Sequence, residues 1–341
     1  MKKNVTPTIS ILTITYNPNP SVLTRSLESI KMQKYPNDKI EHIVVDGGSK
    51  PELIHLMKSY GCRVIVRKDL KLNGEARRSY AVTSAKNDII FWLESDNILE
   101  DENALRELVQ PFIDDPKIIS AFPLHYGHNR QGSMLDRYSA LFGGCDPVVL
   151  YLNKTDREPW YATRYTKGTF IRKEKAYDVV EFNEKNLPTV GDNGFLTKRN
   201  VLLQADIRPE QYVHIDVYVD LLKLGYNRFA AVHSTSIEHI IGNNILTLLS
   251  RRMIYAKRFS LSPDITNRRY FVYNKNELID RVRLFFYVLF SATFLQPLLL
   301  SIRGFMVIRD VAWFLHPIAC FLFMLYYMRT AVTKGAGNTH I

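Results

Sequence analysis

Cysteine is scarce in this 341-residue chain: Cys62, Cys145 and Cys320 stand far apart, with no CxxC pair and no histidine cluster at zinc spacing. That excludes a disulfide scaffold and a zinc module, and the thiols read as buried groups in a reducing compartment. No GxGxxG follows the first apolar run, and neither a P-loop nor a GxSxG elbow occurs anywhere. Dinucleotide oxidoreductases, P-loop NTPases and α/β-hydrolases are therefore disfavoured. Met1 to Thr8 is short and polar, and the run after it is broken by Thr13, Thr15 and Asn17, so no signal peptide is expected. Acidic residues are outnumbered, 34 against 45 Lys plus Arg, for a net charge of +11. A balance of that sign points to nucleic acid, an anionic membrane surface or a phosphorylated small molecule.

The charge is unevenly placed. Arg251 to Arg283 carries nine basic residues and three acidic ones, a net of +6 in 33 residues. It leads into two apolar stretches, Leu284 to Ile302 without a charge and Val311 to Met328 with only His316. Each is near the roughly 17–25 residues a helix needs to cross a bilayer. Basic residues beside apolar spans keep a flank cytoplasmic and attract anionic headgroups, which weakens the nucleic-acid reading. The connector carries Arg303 and Arg309, so a re-entrant or interface-lying pair of helices stays open. A buried helical hairpin is the plainer alternative.

Ahead of that region the pattern alternates. Thr8 to Tyr16 reads as a strand ending at Asn17-Pro18-Asn19-Pro20, and Ser21 to Gln33 as a helix. Strands at Ile40–Val45, Arg63–Val66 and Ile89–Leu93 alternate with helices at Pro51–Tyr60, Gly74–Ala85 and Glu102–Phe112. The expected fold is α/β, a mainly parallel sheet covered on both faces, with its site at the carboxyl ends of the strands. Two of those ends are acidic: Val45 runs into Asp46-Gly47-Gly48-Ser49, and Leu93 into Glu94-Ser95-Asp96-Asn97. Carboxylates there can bind a base, a ribose or a hard cation, or simply cap the next helix.

Tyr16-Asn17, Val44 to Ser49, Gly74 with Ala76-Arg77, Glu94-Ser95-Asp96, Gly191-Asp192-Asn193-Gly194-Phe195, Asp216 to Gly225 and His239 resemble, in order and spacing, family 2 glycosyltransferases with the GT-A fold. The Trp313-to-Pro317 run and the apolar end resemble membrane-attached members that build surface glycans. The resemblance implies that Thr15, Tyr16 and Asp46 hold the nucleobase, with Arg77 near the nucleotide. Glu94 stands where the family has Asp and touches the ribose, beside Ser95. Asp96 would ligate Mn²⁺ or Mg²⁺, with His239 as a further contact or else a structural histidine. The family's base belongs to a Glu-Asp pair that falls here on Val213-His214. Either Asp216, two residues on, is the base, which is the favoured reading, or His214 is, or the base lies elsewhere, and Asp216 as only a helix-terminal charge is the plainer alternative. Trp160 and Asn193 are candidates for the acceptor side, although Trp160 could be core.

The implied reaction is inverting transfer from a nucleotide sugar, expected to be UDP-linked, to a lipid-linked glycan at the cytoplasmic face of the cell membrane. Making a polyprenyl-phosphate sugar is the enzymatic rival, and a catalytically silent scaffold the other. Anionic lipids are expected partners, nucleic acid is not, and a homo-oligomer is left open. The boundaries expected are residues 1–240 for the catalytic domain, 241–283 for a basic juxtamembrane segment, 284–328 for two membrane-embedded helices and 329–341 for a polar tail. Leu135 to Arg157 reads as a lipid-facing lid or an ordinary insertion.

Overall fold

The computed structural model describes residues 6–260 and 268–337. Asp264 of the basic stretch, the side chains of Lys257 and Arg258, residues 1–5 and the last residues of the polar tail lie outside the description. The chain divides into two compact units: Met1–Gly127 with Arg164–Ile240 and Asn267–Tyr270, and His128–Thr163 with Ile241–Thr266 and Phe271–Ile341.

In chain order the first unit holds β1 (Ile9–Thr15), α1 (Pro20–Lys31), β2 (Ile40–Asp46), α2 (Pro51–Ser59), β3 (Arg63–Val66), α3 (Gly74–Ser84), β4 (Ile89–Trp92), β5 (Asn97–Leu99), α4 (Ala104–Asp114) and β6 (Ser120–Pro123). The second unit contributes α5 (Met134–Phe142) and α6 (Pro147–Tyr151). The chain then returns for β7 (Thr169–Lys173), β8 (Tyr177–Glu181), β9 (Phe195–Lys198), α7 (Arg199–Leu202), α8 (His214–Lys223), β10 (Arg228–Val232) and β11 (Ile237–His239). It ends with α9 (Ile245–Ser260), α10 (Leu278–Thr293), α11 (Leu295–Val307) and α12 (Leu315–Gly337).

Nine strands form one sheet in the order β3-β2-β1-β4-β9-β6-β10-β8-β7. Only β8 and β9 run against the rest. β1 is central because nearly every residue in it is buried, which only a strand covered on both faces tolerates. Asn19 caps α1 by accepting from the Ser21 and Val22 backbone, and Pro20 fixes the first turn, so the chain leaves β1 sharply. Ile9, Ile11 and Phe91 pack with Leu105, Leu108 and Phe112 of α4 to cover one face. The parallel register sets Thr15 beside Asp46 and Leu12 beside Trp92, so the ends of β1, β2 and β4 open at one edge. There β5 and β11 form a small antiparallel pair with His239 opposite Asn97.

The second unit has its own core of Leu135, Tyr138, Phe142, Trp313 and Phe323. His316 is fully buried, stacked 3.9 Å from the Phe142 ring and 3.2 Å from the Tyr138 hydroxyl. Asp310 joins His128 (2.9 Å) and Arg137 (3.1 Å). Residues 135–157 build α5 and α6 of this unit. The stretch 284–302 is not one helix: α10 and α11 meet at 84°. Phe294 at the joint has φ +60°, a left-handed conformation that ends α10. Among the described residues one helical stretch, Val311–Arg329, is long and apolar enough by itself to cross a membrane.

Candidate active site

Asp46, at the end of β2, is fully buried. Its Oδ1 accepts from the Gly48 and Ser49 amides, both at 2.7 Å, and its Oδ2 from the Ser49 hydroxyl. The carboxylate therefore closes its own turn, with Gly48 at φ +93°. Arg77, on α3, donates from Nη1 to the Thr15 carbonyl. A side chain on Gly47 would come within 3.0 Å of that nitrogen and 3.2 Å of Tyr16 Cβ, so glycine is needed for the close approach. Lys71 lies 4.9 Å over the Tyr16 ring, and the Thr15 hydroxyl donates to Ser95 Oγ at 3.2 Å. Thr15, Tyr16, Asp46, Arg77 and Ser95 are thus brought to one strand edge.

Asp96 follows, with a side chain 46% exposed whose Oδ2 is 4.0 Å from His239 Nε2. Asn97 anchors the turn, donating from Nδ2 to Asp96 Oδ1 (3.4 Å) and to Asn193 Oδ1 (3.2 Å). Among the described residues no three His, Cys, Asp or Glu side chains cluster as a complete metal cage. Two protein ligands at an open edge are nevertheless what Mg²⁺ or Mn²⁺ asks for when phosphate oxygens and waters supply the rest of an octahedron. The residues present fit such an ion.

Behind this edge lies a buried charged network. Glu94 Oε1 is 2.7 Å from Arg78 Nη2, so the longer acidic side chain turns inward to α3. Burial pushes the Glu94 carboxyl up to about 7; Arg78 opposes the shift, and Asp96 and Asp192 add to it. Arg78 Nη2 also lies 3.9 Å from Asp192 Oδ2. His214, the first residue of α8, meets Glu75 of α3 twice. Its backbone amide donates to Oε2 and its Nδ1 pairs with Oε1, both at 2.8 Å. Its Nε2 is 3.8 Å from Asp192. Burial alone would raise the Glu75 carboxyl, but the charge and hydrogen bonds of His214 take it down to about 2. Burial likewise works against the imidazolium, yet Glu75 and Asp192 outweigh it and hold the His214 pKa above its ordinary value.

Asp216 is 1% exposed. Its Oδ2 accepts from Arg268 Nε (3.0 Å) and the Arg269 amide (3.1 Å), and its Oδ1 from the Tyr270 amide (3.0 Å). Both oxygens are thus committed to residues 268–270, and the structure does not bring Asp216 to the open edge. Asn193 is brought there, on a turn with φ +48° between Gly191 and Gly194; a side chain on Gly194 would collide with Ile237. Trp160 belongs to the second unit, where it packs half-buried on that unit's core. Glu75, Arg78 and Asp192 are the members that sequence reasoning missed. Asp192 had a signal, since it sits inside the Gly191-to-Phe195 motif. Glu75 had none, because its partner lies 139 positions away.

Comparison with known proteins agrees with this architecture. No curated protein matches. The mannosyltransferase PcManGT from Pyrobaculum calidifontis, solved in complex with GDP-Man and Mn²⁺, has a similar fold, with a TM-score of 0.52 and 14% identity over 96% of this chain and 86% of that one. S. aureus TarS gives a TM-score of 0.46 and 16% identity over 73% of this chain, which spans 39% of TarS. The family model for Glycosyl transferase family 2 matches residues 10–182, about half of the chain. With its sheet order and acidic strand ends, the chain belongs to glycosyl transferase family 2 and has the GT-A glycosyltransferase fold.

Proposed function

We propose that the protein transfers a sugar, with inversion, from a nucleotide-diphosphate sugar to a lipid-linked acceptor in surface-glycan synthesis, using Mn²⁺ or Mg²⁺. The observation that carries this reading is the Asp96–His239 pair, 4.0 Å apart at the strand edge that also gathers Thr15, Tyr16, Asp46, Arg77 and Ser95. When bound there, a divalent ion supplies positive charge to the departing diphosphate. Asn97 and Asn193 hold the turn that presents Asp96, and Arg77 braces the edge where the nucleobase would lie. UDP is the expected nucleotide, with GDP the alternative to test. In a thermal-shift titration of the full chain, UDP or GDP with Mn²⁺ should raise the melting temperature, binding at 100 times Kd adding about 2.7 kcal/mol to the stability of the folded state. No shift with any nucleoside diphosphate would overturn the reading.

A second reading, with a polyprenyl phosphate as nucleophile, is favoured by one observation. Asp216 is sealed, and Asp192 lies between Arg78 at 3.9 Å and His214 Nε2 at 3.8 Å. A phosphate needs no strong base, so His214→Gln would retain transfer to a phosphate but not to a hydroxyl.

The same proposal places the enzyme at the cytoplasmic side of a membrane. Its support is the apolar stretch 311–329 together with α10 and α11, which expose Phe285, Leu295, Leu299 and Met306 by 65–78%. Arg281, Arg283, Arg303 and Arg309 suit anionic headgroups. Leu295→Glu with Leu299→Glu should weaken sedimentation with phosphatidylglycerol vesicles at least about tenfold, since each buried leucine is worth roughly 1.5–3 kcal/mol. Unchanged sedimentation would remove these helices as the anchor.

A further inference from the structure

We propose that Glu75 is a positioning residue that makes His214 the group receiving the acceptor's proton. This rests on the nucleotide-sugar reading above and assigns the acceptor end of that site. Both oxygens of Glu75 are spent on one residue, Oε2 on the His214 amide and Oε1 on Nδ1. The first bond fixes the start of α8 and the second fixes the ring. A carboxylate at Nδ1 requires a proton there, so the neutral ring carries its lone pair on Nε2.

Nε2 is the open end of the pair. The nearest carboxylate to it, Asp192 at 3.8 Å, is beyond hydrogen-bond reach, and the Asp192 side chain is 25% exposed against 7% for Glu75. Asp192 precedes Asn193, which is bonded to Asn97 beside Asp96, so the two ends of the site share one turn. The charged groups that act on the ring are Glu75 and Arg78 from α3 and Asp192 from the glycine-bounded turn. Burial disfavours the charged ring and Arg78 adds to that, but Glu75 and Asp192 prevail and raise its pKa.

In the transfer step the acceptor oxygen bonds to the anomeric carbon as the bond from that carbon to the nucleoside diphosphate breaks. The diphosphate leaves with the electron pair, and the acceptor's hydroxyl proton passes to Nε2. Only the neutral ring can take it. Activity should therefore rise with pH through a midpoint above 6.5, the ordinary histidine value. Removing the charge of Glu75 should move that midpoint down.

The test uses the full chain with ¹³C- and ¹⁵N-labelled histidine, His214 being assigned by His214→Gln. The His214 NMR titration should have its midpoint above 6.5 in the parent and about one pH unit lower in Glu75→Gln. Mn²⁺-dependent hydrolysis of UDP-glucose and GDP-mannose is followed in parallel across pH. The acid limb should shift by the same amount in Glu75→Gln, return in Glu75→Asp, and vanish in His214→Gln with a loss of about 10²-fold or more. A residue that merely supports the fold would lower the rate equally at every pH. A parent midpoint at or below 6.5, an unmoved midpoint in folded Glu75→Gln, or a persisting limb in His214→Gln would each overturn the inference. If Glu75→Gln does not fold, the parent titration and Glu75→Asp decide. No turnover of either sugar nucleotide by the parent would instead sink the reading beneath it.

Discussion

Asp96→Ala is expected to lower sugar transfer about 10²–10³-fold and to abolish the effect of Mn²⁺ on nucleotide binding while leaving the melting temperature of the free chain near that of the parent. The size follows from the chemistry of the departing group. A diphosphate leaving with two electrons concentrates negative charge beside the Asp96 carboxylate, with Asp46 buried in its own turn and Glu94 turned inward to Arg78, and one lost electrostatic stabiliser in such a site typically costs about 2.7–4 kcal/mol. The stability forecast follows from exposure. Asp96 is the half-exposed member of this group, and buried Asn97, whose Nδ2 donates to it at 3.4 Å, keeps its bond to Asn193 Oδ1 when Asp96 is lost. His239→Ala should cost less, since Asp96 would still bind the ion. Isothermal titration of UDP and GDP with and without Mn²⁺ separates the two contributions. Full Mn²⁺-dependent binding by Asp96→Ala would move the metal elsewhere.

What the sequence made legible here is what is local. β1, β2 and β4 are β-branched runs ending in turn residues, so their order and acidic ends follow from a few adjacent positions, and the parallel register sets those ends side by side. β9 is different: four residues that slip between β4 and β6 in the opposite direction, pairing with strands that lie far back in the chain, which no local pattern announces. The apolar stretch 284–302 shows the limit of composition. Its hydropathy gives a length but not the 84° bend, which falls at Phe294 with φ +60°, just ahead of Pro297, which has no N–H for the Thr293 carbonyl. The site divides the same way. Thr15, Asp46, Ser95 and Asp96 lie at strand ends and could be read, whereas the Glu75–His214 contact exists only because α3 and α8 meet.

The second large effect concerns stability and bears on which residue is the base. Asp216→Ala is expected to lower the melting temperature by about 10 °C: losing one partner of a buried charge pair costs about 3–5 kcal/mol, and each kcal/mol is worth roughly 2–4 °C in a domain of this size. Asp216 accepts from Arg268 and from the amides of Arg269 and Tyr270, and Tyr270 is itself buried, its hydroxyl donating to the Leu187 carbonyl at 3.0 Å. Asparagine does not rescue this. It offers one acceptor oxygen where Asp216 uses two, so its NH₂ must face a backbone N–H that has already lost its partner. Asp216→Asn should therefore melt close to Asp216→Ala, although it is the usual conservative replacement for a carboxylate base. For the same reason a dead Asp216→Asn enzyme would not by itself identify a base. The decisive comparison is activity per folded molecule at a temperature well below both transitions. If Asp216 holds the 268–270 segment, nucleotide affinity and the pH midpoint of the surviving activity stay with the parent while the melting temperature falls. If Asp216→Asn instead melts with the parent and is inactive, Asp216 takes the proton and His214 does not.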